Sequence, residues 1–66
     1  MESYSGRILV EDASGARFYV HEYRGRRTLV RTRRYMLDTG ESVRREGERT
    51  FVIEKTGEKL VHVDED

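Results

Sequence analysis

Thr28-Leu29-Val30-Arg31-Thr32-Arg33-Arg34-Tyr35-Met36 is the stretch in which a helix and a strand compete, and its reading decides whether the chain is β throughout. A surface helix needs an apolar stripe at i, i+3, i+4 and i+7, and no such stripe runs through these residues. Thr28, Val30, Thr32 and Tyr35 are instead the β-branched and aromatic types that fit a pleated, half-buried surface. The stretch therefore reads as strand. Alternation puts Arg31, Arg33 and Tyr35 on one face with Leu29, and Arg34 on the other with Val30 and Thr32.

The same vocabulary extends in both directions. Ile8 and Val10 alternate with Leu9 and Glu11, Phe18 and Val20 with Arg17, Tyr19 and His21, Phe51 and Ile53 with Thr50, Val52 and Glu54, and Val61 and Val63 with Leu60 and His62. Glycines at 15, 25, 40, 47 and 57 sit in polar tetrads between these segments and read as turns. The reading predicts six strands over 6–12, 16–23, 27–37, 41–46, 49–55 and 59–63, connected as a simple meander, with the third the longest. Its fold class is all-β: one small domain over 1–66, with 1–5 and 64–66 frayed at its ends. A meander leaves two exposed edges unless it closes, so the expected architecture is a curled sheet or a small barrel of SH3-like or OB-like size. Thr-Gly-Glu recurs at 39–41 and 56–58, which reads as a common hairpin turn, because two copies do not make a repeat.

The chain has 66 residues, too few for a second domain. A core of this size rarely supplies more than ~3–5 kcal/mol. With no cysteine in the sequence, neither a disulfide nor a thiolate zinc site can add to it, which leaves self-association as the remaining common route. Apolar runs reach only three residues, as in Ile8-Leu9-Val10, so no membrane-spanning helix is expected. Met1 to Gly6 lacks the basic and apolar regions of a secretory signal, and the expected location is cytoplasmic.

Thirteen basic and thirteen acidic residues cancel in total but not along the chain. Residues 1–23 carry −2, residues 24–45 carry +6 and residues 46–66 carry −4. Arg24, Arg26, Arg27, Arg31, Arg33 and Arg34 fall within eleven residues, next to Tyr23 and Tyr35. Arginine forks match phosphates and tyrosine rings stack on bases, so Arg24, Arg26, Arg27, Arg31, Arg33, Arg34 and Tyr35 form the candidate nucleic-acid surface, for RNA or single-stranded DNA. The competing reading pairs these arginines with Glu11, Glu22, Glu46 or Glu48 on neighbouring strands.

Tyr19, His21 and Tyr23 share a strand face opposite Phe18 and Val20, and form the candidate protein interface or homodimer seam. Catalytic signals are weak. The two histidines, His21 and His62, lie in no nucleophile elbow, and no phosphate-cradling glycine loop occurs. His62, Asp64 and Asp66 alternate along one face, a pattern more often ordinary surface than a metal site. The sequence therefore points to a non-enzymatic binding module without metal or cofactor. Nucleic acid is preferred as its partner, a protein-interaction or inhibitor module is the alternative, and a homo-oligomer is possible.

Overall fold

The computed structural model describes residues 2–64, the side chain of Arg27 excepted. Six antiparallel strands close into a barrel in chain order: β1 (Ser3–Glu11), β2 (Arg17–Arg27), β3 (Val30–Leu37), β4 (Ser42–Arg45), β5 (Thr50–Ile53) and β6 (Lys59–His62). Closure is made by Val10 opposite His62 and Glu11 opposite Val61. The Val63 amide extends it by donating to the Leu9 carbonyl at 2.9 Å. The meander is thus a closed barrel rather than an open curled sheet. Closing the sheet removes the two terminal edges that a six-strand meander would otherwise expose.

Alternation fixes the interior, except that on β6 the expected inward pair Val61 and Val63 gives way to Leu60, because pairing with Phe51 turns Leu60 into the core and leaves Val61 50 % exposed. Val10, Val20, Tyr35, Leu37, Val43, Phe51, Ile53 and Leu60 form one buried cluster, with Ile8 and Phe18 packed against it. Facing residues in the ladders agree, since Ile8 lies opposite Val20, Val20 opposite Leu37, Tyr35 opposite Val43, Val43 opposite Ile53 and Phe51 opposite Leu60. Val52 is buried too, although its register places it on the outer face between Arg44 and Lys59. Glu46 approaches both of those cations, at 3.9 Å and 3.7 Å, so long charged side chains cover the valine.

Three expected turn glycines, Gly15, Gly40 and Gly57, carry the positive φ that their turns use. The first of these turns is fastened by Asp12, whose Oδ1 accepts from the Ser14 amide, the Ser14 hydroxyl and the Ala16 amide. Gly25 departs from expectation. It lies inside β2 opposite Thr32, and a Cβ there would stand 2.9 Å from the Thr32 hydroxyl and 3.6 Å from the Glu2 backbone. The reversal falls at Thr28-Leu29 instead, with Thr28 at φ 58°. The third strand consequently begins at Val30 rather than 27, and the longest strand is β2, with 11 residues.

Residues 3–5, expected to fray, belong to β1, and an irregularity between Tyr4 and Gly6 lets that strand follow β2 as far as Arg24. At the other end Asp64 accepts from Arg49 at 3.3 Å, and the rest of the expected frayed tail lies outside the described residues. Among the described residues no helix is long and apolar enough to cross a membrane.

Candidate nucleic-acid interface

The β2–β3 hairpin is longer than the barrel it helps to build. β1 accompanies β2 only to Arg24, and β4 pairs with β3 only at Tyr35 and Met36. Beyond those points the hairpin continues as a two-stranded arm, Gly25 opposite Thr32, Arg26 opposite Arg31 and Arg27 opposite Val30. The overall dimensions agree: a compact chain of this length has a radius of gyration of about 10.8 Å, whereas this one measures 12.1 Å with extents of 40 × 28 × 22 Å.

Register decides the chemistry of the arm. Directly opposed residues share a face, so Arg24 with Arg33 and Arg26 with Arg31 place four arginines on one side. That side continues the barrel's inner face, because the next pair inward is Glu22 opposite Tyr35. Like charges directly across a ladder oppose the pairing that holds them. Among the described residues the acids proposed to neutralise the block do so at one position only. Glu22 takes Arg24, whose Nε donates to Oε1 at 3.2 Å, whereas Arg34 is held by Glu2 through donors at 2.7 and 3.0 Å. Among the described residues Arg26, Arg31 and Arg33 enter no ion pair. The side chain of Arg27 lies outside the described residues.

Tyr35 leaves the set of stacking groups. It is buried, with its ring edge against Phe51 at 5.4 Å and its hydroxyl donating to Glu22 Oε2 at 3.1 Å. The reason is parity: a residue two places inward from Arg33 falls inside the barrel, where a large ring fills the core. Glu22 closes that end of the interior. Burial works against its ionised form, but hydrogen bonds from Ser5 and Tyr35, together with the Arg24 charge, outweigh it and hold the carboxyl below its ordinary range.

At the foot of the arm, β3 and β4 part. Continued pairing would set Arg34 opposite Arg44 and Arg33 opposite Arg45, two more like-charge pairs. A cleft of about 360 Å³ opens there instead, lined by Arg33, Arg34, Arg44 and Arg45 together with Glu54, Ser42 and Val43. Arg45 is committed to structure, donating to the carbonyls of Gly47 and Glu48 at 3.0 and 2.9 Å. Sequence reasoning passed over Arg44 and Arg45. The available signal was the Asp38-Thr39-Gly40-Glu41 turn, which folds residues 42–45 back onto the arginine block.

Tyr19, His21 and Tyr23 lie together on the opposite, outer face, as alternation requires, and each is half-buried. Their cover comes from Tyr4 and Arg7, which the sequence did not single out, and from Arg34, which it assigned to the basic block. Tyr4, 54 % exposed, packs its ring edge on Tyr23 at 5.5 Å and lies 5.7 Å from His21. Arg7 stands over Tyr19 at 4.3 Å and Arg34 over Tyr23 at 4.9 Å. His21 Nε2 bonds Asp38, and its Nδ1 lies 3.0 Å from the Tyr4 hydroxyl. With Nε2 protonated toward the carboxylate, Nδ1 accepts the tyrosine proton. His21 is thereby occupied as a link between β1, β2 and the end of β3. Among the described residues no three metal-ligating side chains converge, and Asp66 lies outside them.

Comparison with protein-family models, with curated proteins and with solved structures finds no match to this chain.

Proposed function

We propose that this protein is a non-enzymatic binding module whose arginine-rich arm grips the phosphate backbone of a nucleic acid. One observation carries the reading: two cross-strand arginine pairs, Arg24 with Arg33 and Arg26 with Arg31, share one face of a projecting ribbon. An arrangement that weakens its own ladder is accounted for when an anion bridges the cations. Segregated charge supports the same reading, since the +6 of residues 24–45 is concentrated on a few side chains although the net charge is zero.

Titration of a fluorescently labelled DNA by the intact protein at several salt concentrations tests this. Four phosphate contacts predict a log–log salt slope of about −3.6 on duplex, and Arg31→Ala should reduce it by about one. Binding that ignores salt, or an Arg26→Ala/Arg31→Ala variant that binds as the parent does, overturns the reading. A protein partner is the second reading. The outer face supports it, because Tyr19 beneath Arg7 and Tyr23 beneath Arg34, with Tyr4 against Tyr23, combine the aromatic and guanidinium groups enriched at interface hot spots. A homodimer, detected by light scattering and dissociated by Tyr4→Ala, would favour it.

A further inference from the structure

We propose that the arm enters the major groove of B-form DNA, with Leu29 and Val30 meeting the base edges and the arginine pairs contacting the phosphate walls. This rests on the nucleic-acid reading above and names its substrate as duplex DNA rather than RNA or a single strand.

The case begins with what the arginine face lacks. Proteins that hold single strands set aromatic rings beside their cations, so that bases can stack. Here Tyr35 is buried against Phe51, and Tyr23 lies on the opposite face beneath Arg34. Among the described residues the cationic face of the arm presents no ring at all, and its chemistry is suited to phosphates and groove edges.

Dimensions point the same way. From Arg24 and Arg33 the ribbon runs about four residues to its tip, roughly 13 Å at about 3.3 Å per residue. The major groove of B-form DNA is about 12 Å wide and 8.5 Å deep and admits a two-stranded ribbon. The arm is therefore long enough to reach the floor while Arg24 and Arg33 remain at the level of the backbones. The corresponding groove of A-form RNA is too narrow for such an entry.

The tip breaks the local rules. Leu29 is 84 % exposed and Val30 64 %, the two highest values among the large hydrophobic side chains of the described residues. Two-residue hairpins favour Asn-Gly or Asp-Gly, yet this one uses Thr28-Leu29, with a β-branched residue at φ 58°. An arm that worked through charge alone would gain nothing from aliphatic side chains at its end. Departures from local preference concentrate at functional positions. In the major groove the exposed aliphatic groups meet the C5-methyl of thymine, the apolar group among the base edges there. The flanking Arg26 and Arg31 supply the complementary charge.

Fluorescence anisotropy on the whole protein tests the inference with four probes: a mixed-sequence duplex of about two helical turns, each of its strands alone, and the same duplex with deoxyuridine in place of thymidine. We expect the duplex to bind at least roughly tenfold more tightly than either strand. Leu29→Ser should weaken duplex binding by about three- to tenfold and leave single-strand binding unchanged. Deoxyuridine should weaken binding of the parent protein but not of the Leu29→Ser variant. Far-ultraviolet circular dichroism of the variant should match the parent, because the residue is exposed. Equal affinity for strands and duplex, with Leu29→Ser indistinguishable from the parent, overturns groove entry and leaves the arginine reading standing. No salt-sensitive binding to any probe overturns both. Sedimentation with phosphatidylserine vesicles at concentrations where the duplex is not bound assigns the tip to a bilayer, and also overturns the inference.

Discussion

Glu22 shows how one side chain joins core, barrel end and arm. Its carboxylate accepts from the Tyr35 hydroxyl, which projects from the core, and from the Arg24 guanidinium at the root of the arm. Its carboxyl is held below the ordinary glutamate value, so ionisation is favoured more in the folded state than in the unfolded chain. The stability it contributes is present above that value and is lost as pH falls through the lower folded-state pKa. Melting temperatures measured from neutral pH down to about pH 3 should therefore fall on acidification for the parent protein, with Glu2 and Asp12, both also lowered, contributing. Glu22→Gln should melt lower at neutral pH, and its deficit should shrink in acid. A deficit independent of pH would assign the loss to altered packing instead of charge. Tyr35 was legible as an aromatic beside arginines, but its direction was not, because the strand register that turns it inward depends on the partner strands.

The arm is the element that carries the functional argument, and its stability and its proposed binding oppose each other. Arg26 and Arg31 face one another across the ladder, so a single charge reversal converts a like-charge pair into an attractive one. Arg31→Glu is expected to stabilise the protein by ~0.2–1 kcal/mol, read as a rise of up to a few degrees in the melting temperature. The same variant should lose nucleic-acid binding beyond the loss in Arg31→Ala, because it places a repelling charge among the phosphate contacts. A variant that melts lower would show that the opposed guanidinium groups are not a source of strain. Turn chemistry misplaced this element in the sequence: Gly25 carries the stronger turn signal, yet Thr28-Leu29 makes the reversal. A glycine tolerates positive φ but does not compel it, and here Gly25 relieves crowding against Thr32.

The whole molecule stands on one small cluster. Phe51 is 1 % exposed and supports both Tyr35 and Leu60, its stacking partner and its cross-strand neighbour. Truncating a buried phenylalanine costs about 3–5 kcal/mol. A domain of this size has about that much to lose. Phe51→Ala is therefore expected to be largely unfolded at 25 °C by near-ultraviolet circular dichroism, whereas the arm substitutions leave the barrel folded. A folded Phe51→Ala protein would mean that the core carries more than this cluster. Closure of the sheet explains the contrast. Because β1 returns to β6, damage to the core reaches every strand, whereas the arm projects past the last barrel pairings and contributes little to them.

By itself the sequence determined the β class, the count of six strands, the meander order and the inward set built on Val10, Val20 and Phe51, but not the facing of the last strand, where Leu60 rather than Val61 enters the core. Those follow from local preference and a period of two, which are properties of short segments. It also located the basic block. Only the tertiary structure decided that the sheet closes, that the reversal falls at Thr28-Leu29, and that Arg24, Arg26, Arg31 and Arg33 share a face while Tyr23 lies behind them. Alternation tells which residues of one strand agree with one another. Only the register between strands tells which face of one strand meets which face of the next, and register is set by the barrel core and the turn acting together.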